Sequence, residues 1–118
     1  MPLIRIQTNR EIPEASAVLK KLSSHAAGII GKPETYIMTA LNSNVPMTFS
    51  GTDEPLAFIE CKSIGLSESQ TGTLSASLCE FCERELGIPK DRIYIEFASS
   101  KGSMWGWKAL DVEVILIL

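Results

Sequence analysis

Few residues in this chain could do chemistry, and they are scattered. The first is Pro2, in the opening stretch MPLIRIQTN. Proline has no amide hydrogen, so a strand accepts it only at an edge or at its first position, and packing is one reading of Pro2. The other reading is chemical. If Met1 is removed, Pro2 becomes the amino terminus and its ring nitrogen a secondary amine, a base that no ordinary side chain supplies. Burial in an apolar pocket, or a nearby cation, would depress the pKa of that amine towards the range a proton-transfer catalyst needs. Lys32 directly follows Gly31, where by itself it reads as a cation on the negative end of a helix dipole. Cys79-Glu80-Phe81-Cys82 is a CxxC, but redox pairs of that form sit at helix N-termini, where the dipole lowers the thiol pKa. This one falls late in a helical pattern with Cys82 on the apolar stripe, which is a packing role. A zinc site would want a second ligand pair, and the single histidine, His25, reads as a helix-flank residue. The loop SSKGS at Ser99–Ser103 holds glycine and lysine but lacks phosphate-loop spacing. Taken alone, Tyr36, Met38, Ile64, Tyr94, Trp105 and Trp107 read as core, strand or interface packing.

The elements that must position these residues follow from periodicity. Leu3–Gln7 alternates, Ile4 and Ile6 against Arg5 and Gln7, and reads as a strand. Further strands are expected at Tyr36–Leu41, Leu56–Ile64 and Arg92–Ala98. Between the first two, Val18, Leu19, Leu22, Ala26, Ile29 and Ile30 form a helical stripe, stopped by Gly31 with Pro33 beyond it. Between the last two, Leu74, Leu78, Phe81, Cys82 and Leu86 form another, opened by the capping-box pair Ser67 and Gln70 and closed by Gly87 and Pro89.

The two halves repeat. GKPETYIMTAL at Gly31–Leu41 echoes GIPKDRIYIEF at Gly87–Phe97 at an offset of 56 residues. The fold class expected is therefore α+β: two βαβ units with right-handed crossovers, giving a four-stranded mixed sheet with two helices on one face. One domain spans 1–118, with pseudo-repeats at 2–55 and 56–107 and a strand-like tail at 108–118, where DVEVILIL (Asp111–Leu118) could pair with a neighbour's sheet edge. The second and third strands look apolar on both sides, yet two helices cover only one face. The other face should close on a second copy, which predicts a homo-oligomer.

Composition narrows the function. The chain has 118 residues, 45% of them hydrophobic and 21% charged, with a net charge of −3, which argues against a nucleic-acid surface. The longest apolar run, Val114–Leu118, is far too short to cross a bilayer, and the opening residues lack a signal-peptide pattern. Three cysteines are an odd count, expected as free thiols in a reducing cytosol. The localisation expected is cytoplasmic, with export without a signal left open.

Four stretches carry a resemblance: MPLIRIQTN at the start, GKPETYI at Gly31–Ile37, EPLAFIECKSIG at Glu54–Gly65, and DRIYIEF…GW from Asp91 to Trp107. In order and spacing the chain resembles the macrophage migration inhibitory factor and D-dopachrome tautomerase family of the tautomerase superfamily, over about residues 2 to 107. The resemblance implies a homotrimer whose sheets wrap into a central barrel, with active sites at subunit interfaces. It implies cofactor-free keto–enol tautomerisation of phenylpyruvate-like acids, small aromatic 2-oxo acids, and of dopachrome-like compounds. In that reading Pro2 is the general acid/base. Lys32 binds the substrate carboxylate and lowers the Pro2 pKa, and the Ile64 backbone N–H donates to the same carboxylate. Tyr94 reaches an adjacent subunit's pocket, and Tyr36, Met38, Trp105 and Trp107 line the site. No metal, nucleic acid or membrane partner is implied.

Two departures qualify it. Glu96 stands where mammalian members carry an asparagine that hydrogen-bonds substrate, and a carboxylate there would repel an acid unless protonated or turned away. Leu56-Ala57-Phe58-Ile59 stands where thiol–oxidoreductase members carry a CxxC, so that activity is not expected. The alternative from another class is a non-catalytic, cytokine-like homotrimer that keeps the pocket and works through its surface.

Overall fold

The structure, a computed structural model, describes residues 1–113. It begins with β1 (Leu3–Thr8), α1 (Ala15–Ile30) and β2 (Met38–Asn42). A second unit of the same form follows: β3 (Ala57–Ile64), α2 (Thr71–Leu86) and β4 (Ile93–Ser100). Each unit pairs its own strands in parallel, and the two units meet where β1 runs antiparallel to β3, giving the order β2-β1-β3-β4. The α+β expectation of two βαβ repeats in one mixed sheet is what the chain adopts.

Alternation decides which face is core. Ile4 and Ile6 of β1 and Ala57, Ile59 and Cys61 of β3 point into one cluster with Val18, Leu22 and Ala26 of α1 and Leu74, Leu78, Phe81 and Cys82 of α2. The stripes read from sequence are thus the buried stripes, and both helices lie on one side of the sheet. Each helix ends where glycine takes a left-handed conformation, Gly31 at φ 78 and Gly87 at φ 67, which an L side chain resists. The Ser67–Gln70 box forms as expected, with Ser67 N donating to Gln70 Oε1 at 2.9 Å; it caps a short 3-10 turn, Glu68–Gln70, that runs straight into α2. Burial pushes the Cys82 thiol up to about 12 and the Cys61 thiol up to about 11, so both behave as packing groups.

The strand starts differ from expectation for one shared reason. Pro33 and Pro89 each open a 3-10 turn, Glu34–Tyr36 and Lys90–Arg92. Tyr36 N donates to the Pro33 carbonyl at 3.1 Å and Arg92 N to the Pro89 carbonyl at 3.0 Å. The amides of Tyr36 and Arg92 are satisfied inside those turns, so neither residue belongs to a strand: β2 starts at Met38 rather than Tyr36, and β4 at Ile93 rather than Arg92. Arg92 instead sends its guanidinium into the 49–55 loop, donating to the carbonyls of Phe49, Thr52, Glu54 and Pro55 at 3.0–3.3 Å.

The uncovered face is not apolar throughout, as the sequence suggested. Arg5 Nη2 meets Glu60 Oε2 at 2.9 Å and Lys62 Nζ reaches the same oxygen at 3.5 Å, across the middle of the sheet. These ion pairs hold the Glu60 carboxyl below its ordinary value, the Arg5 bond foremost. Apolar surface is left towards the two edges, where Met38 and Tyr94 are 66% and 67% exposed.

The tail is also corrected. Of the described residues of that stretch, Asp111–Glu113, only Asp111 is in a strand. β5 (Gly106–Trp107) and β6 (Leu110–Asp111) form an antiparallel hairpin within the chain. Val112 is 2% exposed and donates to the Trp105 carbonyl at 2.7 Å, which returns the chain against the mouth of β1. The rest of the expected strand, 114–118, lies outside the described residues.

Candidate active site

Pro2 sits just ahead of β1, so the sheet asks it for no amide hydrogen. Its carbonyl accepts from Met38 N at 2.9 Å, which ties the start of β1 to β2, and its ring is fully buried. Two adjoining lobes open beside it. One, of about 230 Å³, is lined by Met1, Pro2 and Leu3, by Thr35–Met38, and by Trp105–Trp107. The other, of about 270 Å³, is lined by Met1, Lys32, Pro33, Tyr36, Ile64, Trp107 and Val112. Met1, Tyr36 and Trp107 belong to both. The Tyr36 and Trp107 rings meet edge-on, 5.5 Å between centroids and 86° between planes, a favoured aromatic geometry that holds the shared wall.

The Gly31 cap turns the chain so that Lys32 leaves the helix and reaches the end of β3. Its ammonium donates to Ser63 Oγ and to the Ile64 carbonyl, both at 3.1 Å. The helix carbonyls are not its partners. Two of its three N–H bonds are thereby used, and the Met1 α-amine is close enough to feel the third. Burial first, and then Lys32, lowers that amine to about 6. This corner of the protein therefore disfavours a second positive charge, as a buried site beside a fixed cation must.

Seven of the nine residues singled out from sequence converge here: Pro2, Lys32, Tyr36, Met38, Ile64, Trp105 and Trp107. Ile64 contributes through its carbonyl to Lys32 as well as through the wall. Tyr94 and Glu96 do not join them. Both are exposed on the uncovered sheet face, Tyr94 with its ring tilted at 59° against Phe49, 4.7 Å between centroids, and Glu96 in register with Glu60. Sequence reasoning missed Ser63, Pro33 and Val112. Ser63 had a signal, as a small polar residue at the inward register of β3, next to Ile64. Val112 had none, because its place depends on the hairpin.

No group of three or more acidic, histidine or cysteine side chains that could hold a metal is found among the described residues. Nor is any helix there long and apolar enough to cross a membrane.

Two βαβ units in one mixed sheet, with a proline at the mouth of β1 beside a lysine-bearing aromatic cavity, define a chain of the tautomerase superfamily. More narrowly, this chain belongs to the macrophage migration inhibitory factor family, whose model matches residues 1–112. It is 39% identical over 107 residues to a macrophage migration inhibitory factor homolog of Brugia malayi, covering 87% of this chain and 91% of that one. It is 34% identical over 111 residues to macrophage migration inhibitory factor of Mus musculus, covering 91% and 95%. Among solved structures, the homologue from Prochlorococcus marinus superposes with a TM-score of 0.88 at 46% identity, covering 93% of this chain and 98% of that one. The factor from Trichinella spiralis does so with a TM-score of 0.86 at 31% identity, covering 92% and 97%.

Proposed function

We propose that the protein is a cofactor-free keto–enol tautomerase, an isomerase acting on phenylpyruvate-like and dopachrome-like acids, with Pro2 as the general acid/base once Met1 is removed. The observation that carries this reading is the cavity wall: buried Pro2 and the ammonium of Lys32 flank the same Tyr36–Trp107 pair. A substrate carboxylate pairs with Lys32, and the Ile64 N–H is its second donor. The aromatic body lies against Tyr36, Met38, Trp105 and Trp107. The Pro2 amine takes the proton from the carbon beside the carbonyl, water supplies one to the carbonyl oxygen, and the Pro2 ammonium returns its proton to solvent; the reverse steps ketonise the enol. The forces that lower the Met1 amine, burial and Lys32, would act in the same direction on a terminal Pro2 amine one residue on, favouring its unprotonated, basic form.

Tyr94 and Glu96 lie outside this cavity in their own chain, so they complete a site only from another copy. That supports a homotrimer closing on its uncovered sheet faces. The three cysteines, unpaired and partly or fully buried, suit a cytoplasmic setting.

The test is ketonisation of enol-phenylpyruvate, followed by ultraviolet absorbance, on protein whose intact mass shows loss of Met1, beside a sample that retains it. Activity in the processed sample alone supports the reading. Its loss in Pro2→Gly, by a factor of about 100 or more, supports it further if the trimer stays intact. Two inactive trimeric samples would sink the catalytic reading and leave the surface-acting, cytokine-like one.

A further inference from the structure

Neither lobe beside Pro2 has an acidic side chain in its wall. Trp105, Gly106 and Trp107, which wall the first lobe, also wall a shallow hollow under the β5–β6 hairpin, of about 760 Å³, to which Lys108 and Asp111 contribute. Lys108 Nζ lies 4.5 Å from the Trp107 ring centroid, within cation–π range of the same indole that the cavity uses. It forms no ion pair among the described residues.

The backbone that holds it there is strained. Lys108 and Ala109 are the two central residues of the hairpin turn, at φ 54 and φ 62. A turn with both central residues left-handed wants Asn-Gly, and a residue with a Cβ is disfavoured in that conformation. The other such turn among the described residues, Phe49–Thr52, has Ser50-Gly51 at its centre, so one of its two positions is relieved. A strained pair of non-glycine residues beside a cavity points to a use for one of the side chains. Ala109 has only a methyl group; Lys108 has the cation.

We propose that Lys108 is a second anion contact of this site, which selects 2-oxo acids carrying a second acidic group at the far end of the molecule. Lys32 holds the carboxylate next to the reacting carbonyl, with two of its N–H bonds already given to Ser63 and Ile64. The apolar or aromatic body lies along Tyr36 and Trp107. The second anion passes the edge of Trp107 to meet Lys108, which lines the hairpin hollow on that indole rather than either lobe. The proton transfers at Pro2 are unchanged, so the effect is on binding. This rests on the reading of the cavity as the substrate site.

The experiment compares two probes, phenylpyruvate with one carboxylate and 4-carboxyphenylpyruvate with two. Binding is read by quenching of tryptophan fluorescence and kcat/KM by ketonisation, in wild type, Lys108→Ala and Lys108→Arg. An exposed charge pair of this kind is worth about fivefold in affinity. Lys108→Ala should lose that for the dicarboxylate, with phenylpyruvate changing less than about twofold, and Lys108→Arg should keep the preference. Equal losses for both probes, or a preference that survives in Lys108→Ala, would overturn the proposal and leave the cavity reading standing. If neither probe binds wild type, both the proposal and the cavity reading fall; if only phenylpyruvate binds, the Lys108 proposal falls alone. Binding without turnover would overturn only the tautomerase reading.

Discussion

Lys32 is the residue on which the site's electrostatics turn. It is held by Ser63 Oγ and the Ile64 carbonyl at the end of β3, so its ammonium is fixed before any substrate arrives. Lys32→Ala should raise KM for phenylpyruvate by about tenfold, the worth of one partly buried charge-assisted contact. It should also move the acidic limb of the kcat/KM profile upwards, because the cation that opposes protonation of the Pro2 amine is gone. An unmoved limb would mean that Lys32 acts on substrate alone. The Met1 amine gives a related prediction. Its folded value is about 6 against an ordinary 8.0, so between the two the unfolded chain binds more protons. Stability from this group is complete above the ordinary value and is lost as pH falls through about 6, so protein that retains Met1 should show urea midpoints that climb between those pH values. A flat profile would contradict the burial of that amine.

Two elements are held in ways that mutation can read. The 49–55 loop has little regular structure of its own and is ordered by Arg92, with help from Asn9, whose Nδ2 donates to the Asp53 carbonyl at 2.8 Å. Arg92→Ala strands four carbonyl groups and should cost about 2–3 kcal/mol in urea unfolding. Arg92→Lys should recover little, since one ammonium does not match a planar fork spread over four acceptors. In the β5–β6 hairpin, Ala109→Gly should stabilise the chain by about 0.5–1 kcal/mol, the relief of a left-handed Cβ less the added freedom of glycine in the unfolded chain. If it destabilises, the turn is not strained and the argument for Lys108 loses its main support.

At the scale of the whole molecule, the sheet has one face under helices and one face open. The open face mixes the Arg5–Glu60–Lys62 network with apolar edges at Met38 and Tyr94. A homotrimer should elute and scatter light at three times the mass of the chain. Tyr94→Glu, a charge placed on an exposed apolar edge of that face, should shift it towards monomer while far-ultraviolet circular dichroism stays unchanged. A monomeric wild type would leave Tyr94 and Glu96 without a site to complete.

The elements were legible in the sequence because each is written in local periodicity. The stripes Val18–Leu22–Ala26 and Leu74–Leu78–Phe81 are buried as read, and Gly31 and Gly87 stop their helices because the left-handed cap belongs to glycine. Pro2 was legible as chemistry because it stands directly behind Met1, where processing would make it an amine; Lys32 and the aromatic residues, which alone read as a helix-end cation and packing, became candidates only through the resemblance. What local pattern could not settle was which residues share a space. Tyr36 reads as strand until the Pro33 turn takes up its amide and turns its ring to Trp107. Arg92 reads as strand until its guanidinium finds a loop some 40 positions earlier. Val112 reads as a strand tail until a hairpin folds it into the cavity wall. Periodicity reports which way a side chain points relative to its neighbours in sequence. The company it keeps across the fold depends on turns and long-range closure, and those exist only in the assembled tertiary structure.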